Sequence, residues 1–226
     1  MESSIGSSAE PYDFEAALSA FIELGADIIS MKPAERYGYQ FNNRFLLQPG
    51  FMPIKAPPKV VFIGINPSTN KLGQEIVDLD EERRLYIRWA EQRTMEAYSA
   101  AYNTWATENV RGWTVFRTVR EVLERNGLSP ENGDLGWLNI GKVPDNDMSA
   151  ITEQIATRDF PWLKRQLRMM GPDIFVVLGS NASRYGFIAS YLHRTYPTRV
   201  GIRGQRGDGE SVDAIATRLR SWLERS

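Results

Sequence analysis

The chain has 226 residues, 42% of them hydrophobic, and a formal net charge of −1, enough apolar content for one substantial core and too short for two full domains. It holds no cysteine and a single histidine, His193, which excludes disulfides, thiolate zinc sites, cysteine-held iron–sulfur clusters and histidine-rich metal cages. No apolar run has the length of a membrane span and the acidic start lacks a signal-peptide pattern, so a cytoplasmic protein with one domain over 1–226 is expected.

In chain order, Pro11 to Met31 shows helical apolar spacing through Phe14, Leu18, Phe21 and Ile22. Tyr37 to Phe51 is aromatic and Asn-rich and reads as a covering loop, so that 1–57 forms an N-terminal helix plus loop. "KVVFIGINPSTN", Lys59 to Asn70, begins as a Val-Val-Phe-Ile strand bounded by Pro57-Pro58 and Gly64, buried on both faces. It ends in an amide, a stiff turn and two hydroxyls. Asp80 to Glu108 reads as one long helical region without Pro or Gly, part of a helical insertion over 71–110. Its aromatic residues, among them Trp89, Tyr98, Tyr102 and Trp105, fit a core better than a ligand platform.

Trp113 to Arg125 is a further helix, closed by Asn126-Gly127, and Gly136 to Ile140 a short strand. A helix over Pro161 to Met170 is expected to start at its proline and stop at Gly171-Pro172 before the strand "DIFVVLG". "TRVGI" is a candidate last strand, followed by the polar loop "IRGQRGDGES" and a final helix from Ser211 to Leu223. Strands alternating with helices predict an α/β fold with a mainly parallel sheet.

Two strands run through Gly into a polar turn and a helix, "FIGINPSTN" and "VVLGSNASRYG". Neither carries the further glycines of a dinucleotide fingerprint, and there is no phosphate-binding Gly-Lys-Ser/Thr loop or Gly-x-Ser-x-Gly elbow. His193 reads as a surface or packing residue rather than a base. Met1 to Glu35 carries seven acids against Lys32, whereas Arg158 to Arg206 carries nine Arg or Lys against Asp159 and Asp173. A solvated face accounts for such a run, and so does a surface for a polyanion, with nucleic acid the favoured one.

"FIGINPS", then "GWLNIGKVP" about seventy residues on, then a Trp-Leu-containing helix leading to "PDIFVVLG", is similar in order and spacing to the uracil-DNA glycosylase superfamily. The resemblance spans roughly Pro58 to Gly179. Gly-Ile-Asn-Pro looks like the water-positioning motif of its mismatch-specific and single-strand-selective branches, where Asn stands in place of the Asp of other branches. The resemblance implies a three-layer α/β/α sandwich with a short, mainly parallel central sheet. It also implies a DNA glycosylase that acts on a flipped uracil or modified pyrimidine without metal or cofactor. A monofunctional one is expected because a lyase needs an amine nucleophile and the nearest candidate, Lys142, sits on the base-reading motif. A monomer on DNA is expected.

On that resemblance Asn66 is the catalytic residue, its amide oxygen orienting the attacking water; the residues alone read equally well as a plain Asn-Pro turn. Asn139 matches the family's strand-borne asparagine that reads the edge of the extruded base, for which an amide offers donor and acceptor side by side. Its other reading is an amide tying loops together. Trp113 and Phe116 fall where an aromatic lies under the base, with one of them expected in the core, and Ile65 joins them as a base contact. Ser68, Thr69, Lys142 and Ser180 are expected at DNA, Lys142 and Pro144 resembling the "K-x-P" tail of some branches.

The chain departs from the family at the last strand. The usual His-Pro-Ser or Asn-Pro-Ser turn, which supplies a donor to the leaving base, has no counterpart. Position alone assigns its place to "RGQRGD", with Arg203, Gln205 and Arg206 as DNA contacts. Two other functions stay open: a non-catalytic nucleic-acid-binding protein with this fold, and a small-molecule hydrolase acting on nucleosides.

Overall fold

A computed structural model of the chain describes residues 12–38, 46–64, 77–110, 116–143, 152–171, 174–178, 186–195, 200–203 and 211–224. Four five- or four-residue strands form its sheet: β1 (Val60–Gly64), β2 (Leu135–Asn139), β3 (Ile174–Leu178) and β4 (Val200–Arg203). All pairings are parallel and the order is β2-β1-β3-β4. Every residue of β1 and β2 is buried, as a sheet covered on both faces requires. The expected α/β fold with a short parallel sheet is present, and Val200–Arg203, which overlaps the end of "TRVGI", forms its last strand.

Helices cover both faces. A Cβ at Gly136 would meet the Met170 sulfur at 3.1 Å, which puts the helix Glu153–Met170 on the face of Gly136. The neighbouring residue, Trp137, points the other way and packs edge-on against Phe116 at 4.7 Å, at the head of the helix Arg117–Glu124. In chain order the helices are α1 (Phe14–Ile29), α2 (Pro33–Tyr37), α3 (Val77–Gln92), α4 (Met95–Thr104), α5 (Arg117–Glu124), α6 (Glu153–Met170), α7 (Gly186–Thr195) and α8 (Val212–Leu223). α1 and α7 join α6 on one side, the latter through Phe160 against Phe187 and Tyr191, while α8 packs with α5 on the other. Three layers result.

Two helices depart from the sequence expectation. The region read as one helix over Asp80 to Glu108 breaks between α3 and α4, where Arg93 turns left-handed at φ 54° and the Thr94 hydroxyl caps α4 by accepting from the Ala97 N–H at 3.2 Å. Arg93 is held in that corner by Glu23 and Asp27 of α1, at 2.8 and 2.9 Å. The chain then widens into a π-helical turn, Trp105–Asn109. The helix expected to begin at Pro161 begins eight residues earlier, because Thr152 caps it through the Ile155 N–H at 3.3 Å. Pro161 therefore sits inside α6. Its ring disturbs the hydrogen-bond ladder one turn back, and there the Arg36 guanidinium donates to the Arg158 carbonyl at 3.3 Å.

β2 is an edge strand, and residues 46–52 close its open side. Phe51 and Trp137 exchange main-chain hydrogen bonds in an antiparallel bridge, at 2.7 and 2.9 Å, and the Gln48 N–H donates to the Lys142 carbonyl at 2.9 Å. The Phe51 ring stacks on Trp105 at 4.8 Å and touches Tyr86, Trp89, Tyr98 and Tyr102, so the aromatic residues of α3 and α4 are core. Tyr98 binds this covering segment at both main-chain atoms of Met52: its hydroxyl accepts from the N–H at 2.8 Å and donates to the carbonyl.

The close approach is possible only because residue 50 is glycine. Its φ is +98°, and a Cβ there would lie 2.3 Å from the Trp137 carbonyl oxygen. Gly50→Ala is expected to lower the unfolding free energy by at least about 2 kcal/mol, from left-handed strain plus loss of the Phe51–Trp137 bridge, as measured by urea denaturation. Wild-type stability in that variant would mean that the edge of β2 closes without this segment.

Candidate functional site

The parallel register sets Gly64, the last residue of β1, directly beside Asn139, the last residue of β2. Both lie at the carboxyl end of the sheet, where α/β proteins place their ligands. The Ile140 N–H donates to the Gly64 carbonyl at 2.9 Å and locks this end of the pair. A side chain at Gly64 has no room: a Cβ would lie 2.8 Å from the Asn139 Oδ1 and 2.9 Å from the Trp137 ring. The missing side chain leaves the Asn139 amide its position. That amide is 2% exposed, and its Oδ1 is buried with no hydrogen-bond partner among the described residues. An unpaired buried acceptor costs about 1–3 kcal/mol. The Asn126 Oδ1 and Gln166 Oε1 share this condition, and Asn139 is set apart from them by its place at the carboxyl end of β2.

Trp137 shares a face with Asn139 and borders the same space, and sequence reasoning passed over it. The signal was available in "GWLN", because residues two apart on a strand point the same way. Phe116 is buried and packs edge-on against both Trp137 and Trp105. Phe116 takes the core place that was expected of one member of the Trp113–Phe116 pair.

Lys142 does not lie at a surface where a phosphate could meet it. It is fully buried, and its Nζ donates to the Asn139 carbonyl at 2.6 Å and to the Pro49 carbonyl at 3.4 Å. The expectation of a DNA contact is corrected by that geometry. The chain turns inward after β2, because the Lys142 N–H is bound by the Asp159 carboxylate of α6 at 2.9 Å. Asp159, itself fully buried, also accepts from the Tyr37 hydroxyl at 2.8 Å and from Arg36 at 3.3 Å. Arg36 in turn lies over the Trp162 ring at 3.6 Å. Gln166 of α6 completes the cluster by donating to the Pro49 carbonyl at 2.6 Å.

Burial shapes the protonation of this cluster. Loss of hydration pushes the Lys142 ammonium down to about 7, against the pull of Asp159, which raises it. Tyr37 is pushed far up by burial and by the Asp159 charge. Among the described residues no three His, Asp or Glu side chains converge as metal ligands would, and no helix is long and apolar enough to cross a membrane. His193 is exposed in the last turn of α7.

The remaining candidates, Ile65, Asn66, Ser68, Thr69, Trp113, Pro144, Ser180, Gln205 and Arg206, lie outside the described residues. Arg203 is the last residue of β4, paired in register with Leu178 at the carboxyl end of β3. The strand ends thus bring the Gly64, Asn139 and Arg203 positions to one edge of the sheet.

The depressed Lys142 value has a stability consequence whose sign is fixed. Between about pH 7 and the ordinary lysine value of 10.5 the unfolded chain binds a proton that the folded chain has released, so folding stability rises with pH in that window. Lys142→Met should remove this rise between pH 7 and 9, below the range in which the tyrosines titrate. Urea unfolding of both proteins at a series of pH values checks it, and equal slopes would place the Lys142 titration elsewhere.

A family model for the uracil DNA glycosylase superfamily matches residues 49–225. No curated protein matches the chain. The matched segment starts at the covering segment of β2, takes in all four strands and ends after α8. With more than half of the chain matched, and with an open amide at the carboxyl end of a parallel sheet, the chain belongs to the uracil DNA glycosylase superfamily.

Proposed function

We propose that this protein is a monofunctional DNA glycosylase that hydrolyses the N-glycosidic bond of a flipped uracil or modified pyrimidine in DNA, for repair or for defence against foreign modified DNA. The observation that carries the reading is the Asn139 amide, buried at the end of β2 with an unpaired oxygen beside a residue that has no side chain. An amide presents a donor and an acceptor side by side, which matches the O4/N3–H edge of uracil or, with the roles exchanged, the N4-amine/N3 edge of cytosine. Trp137 beside it offers a flat apolar wall for a base.

Cleavage passes through a sugar cation and a departing base anion, and the two tasks fall to different strand ends. The Asn139 N–H group, donating to the base, takes up part of the charge that develops as the bond breaks. Asn66, two residues beyond the end of β1, is the candidate for the second task. Its amide oxygen accepts a hydrogen bond from a water and aims it at C1′, which suffices where base departure precedes attack. Ile65 and Trp113 are proposed to line the base. Ser68, Thr69 and Ser180, in the turns after β1 and β3, and Arg203, Gln205 and Arg206, after β4, are proposed to hold phosphates. A lyase step needs a free amine nucleophile. Burial and two carbonyl partners withhold Lys142 from that role.

The reading is tested by alkali-cleavage assays on oligonucleotides bearing uracil, mispairs and modified cytosines. Asn66→Ala should lose at least about 100-fold in single-turnover excision with DNA affinity retained. Undiminished turnover would remove Asn66 from the mechanism. In Asn139→Asp the donor to O4 is replaced by an acceptor, so preference should move from uracil-type toward cytosine-type bases. Equal loss on every base would make Asn139 structural. The double variant Arg203→Ala, Arg206→Ala should bind DNA with a shallower salt dependence, by about one in slope for each phosphate that is no longer neutralised. An unchanged slope would put the loop after β4 away from DNA.

A further inference from the structure

The antiparallel contact between the covering segment and β2 is interrupted at one place, and that place is Asn139. Phe51 and Trp137 exchange both of their main-chain hydrogen bonds. Two residues further along each chain, the same ladder would pair Pro49 with Asn139. Proline has no N–H, so the Asn139 carbonyl is denied the donor that the ladder would bring. The Lys142 Nζ supplies it at 2.6 Å and reaches the Pro49 carbonyl at 3.4 Å, bridging the two strands where the ladder fails. The catalytic scheme above leaves this buried cation unused.

A neutral side chain could fill a gap in a ladder at less expense than a buried ammonium, whose desolvation costs several kcal/mol. The chain nevertheless secures the residue on every side. Gln166 shares the Pro49 carbonyl, and Asp159 holds the Lys142 N–H. Such anchoring fits a group whose position has to be reproduced closely, as a first-contact amide requires of its support.

We propose that Lys142 is a positioning residue for Asn139: its ammonium replaces the donor that Pro49 lacks and holds the carboxyl end of β2 so that the Asn139 amide stays in register with Gly64. The proposal rests on Asn139 being the base-reading group. Its bond to the Asn139 carbonyl is charge-assisted and weakens when the proton leaves. Among the described residues, the charged or titratable groups bonded into this cluster are Asp159 of α6 and, on that carboxylate, Arg36 and Tyr37 of α2. Burial brings the loss of the Lys142 proton down to about pH 7, so excision should fall as pH rises through that value. Stability rises over the same interval. A lysine that only stabilised the fold would leave the rate flat while stability rises.

The experiment compares wild type, Lys142→Met and Asp159→Asn at pH 6 to 9, by single-turnover excision under saturating DNA, DNA affinity, and the NMR shift of the Asn139 side-chain amide. In wild type the rate should fall and the amide shift should move with one midpoint near 7. Asp159→Asn keeps an acceptor for the Lys142 N–H but removes the charge that favours its ammonium, so both midpoints should move to lower pH. Lys142→Met should lose about 10–100-fold in rate at pH 6, the effect of a small misplacement, with affinity kept and no pH limb. Should that variant not fold, the Asp159→Asn shift decides. Excision with a flat rate and an unmoved amide signal in wild type and Asp159→Asn overturns the proposal and leaves the glycosylase reading standing. An amide signal that follows the Lys142 titration without excision of any base upholds the positioning and overturns the substrate reading instead.

Discussion

β2 lies at the edge of its sheet, and the closing of that edge is the constraint on which the other features hang. An uncovered edge strand exposes a row of unpaired main-chain groups. Here residues 46–52 take that row up, through the Phe51–Trp137 bridge and the Gln48–Lys142 bond. The same segment delivers Phe51 into the aromatic core of α3 and α4, so edge closure and core packing are one event. Gly50 permits the approach, and Tyr98 fastens it from the side of α4.

Four polar side chains are buried among the described residues, Asn139, Lys142, Asp159 and Gln166, and they all gather at this end of β2 or on the face of α6 behind it. Their concentration separates two kinds of polar burial. Asp159 has its charge answered by Tyr37, Arg36 and a main-chain N–H, as a satisfied internal network does. The Asn139 oxygen is left open, on the opposite face, next to Trp137. The satisfied group supports the backbone from which the unsatisfied one projects. A site carried on a strand and backed by such a network needs little rearrangement to meet its ligand.

The strands and most of the helices were legible because their signals are local. β1 and β3 are short apolar runs between breakers, and the final helix begins at a Ser whose hydroxyl binds the Ala214 N–H at 3.1 Å. Where an unlikely local choice was sustained by a distant partner, the local signal failed. Arg93 ends α3 in a left-handed turn with two carboxylates of α1 on its side chain. Pro161 is tolerated inside α6 beside a guanidinium brought in by α2. Neither partner is within reach in sequence, so neither exception shows there.

The site divides in the same way. That an amide stands at the end of each of two parallel strands, Asn66 two residues past one and Asn139 closing the other, follows from the order of residues alone, since strand length and the flanking glycine fix where each strand stops. The superfamily, too, was recognisable from motif order. Side-chain direction was a different matter. Lys142 reads as an exposed cation in the sequence because charged side chains usually are, and only the convergence of Pro49, Asn139 and Asp159 from three separate parts of the chain provides a place where it can be buried. The order of residues determined which groups reach the sheet's carboxyl edge. Tertiary structure decided which of them keep an unpaired polar atom and which are spent holding the others, because a buried polar group's role depends on whether its partners arrive from elsewhere in the chain.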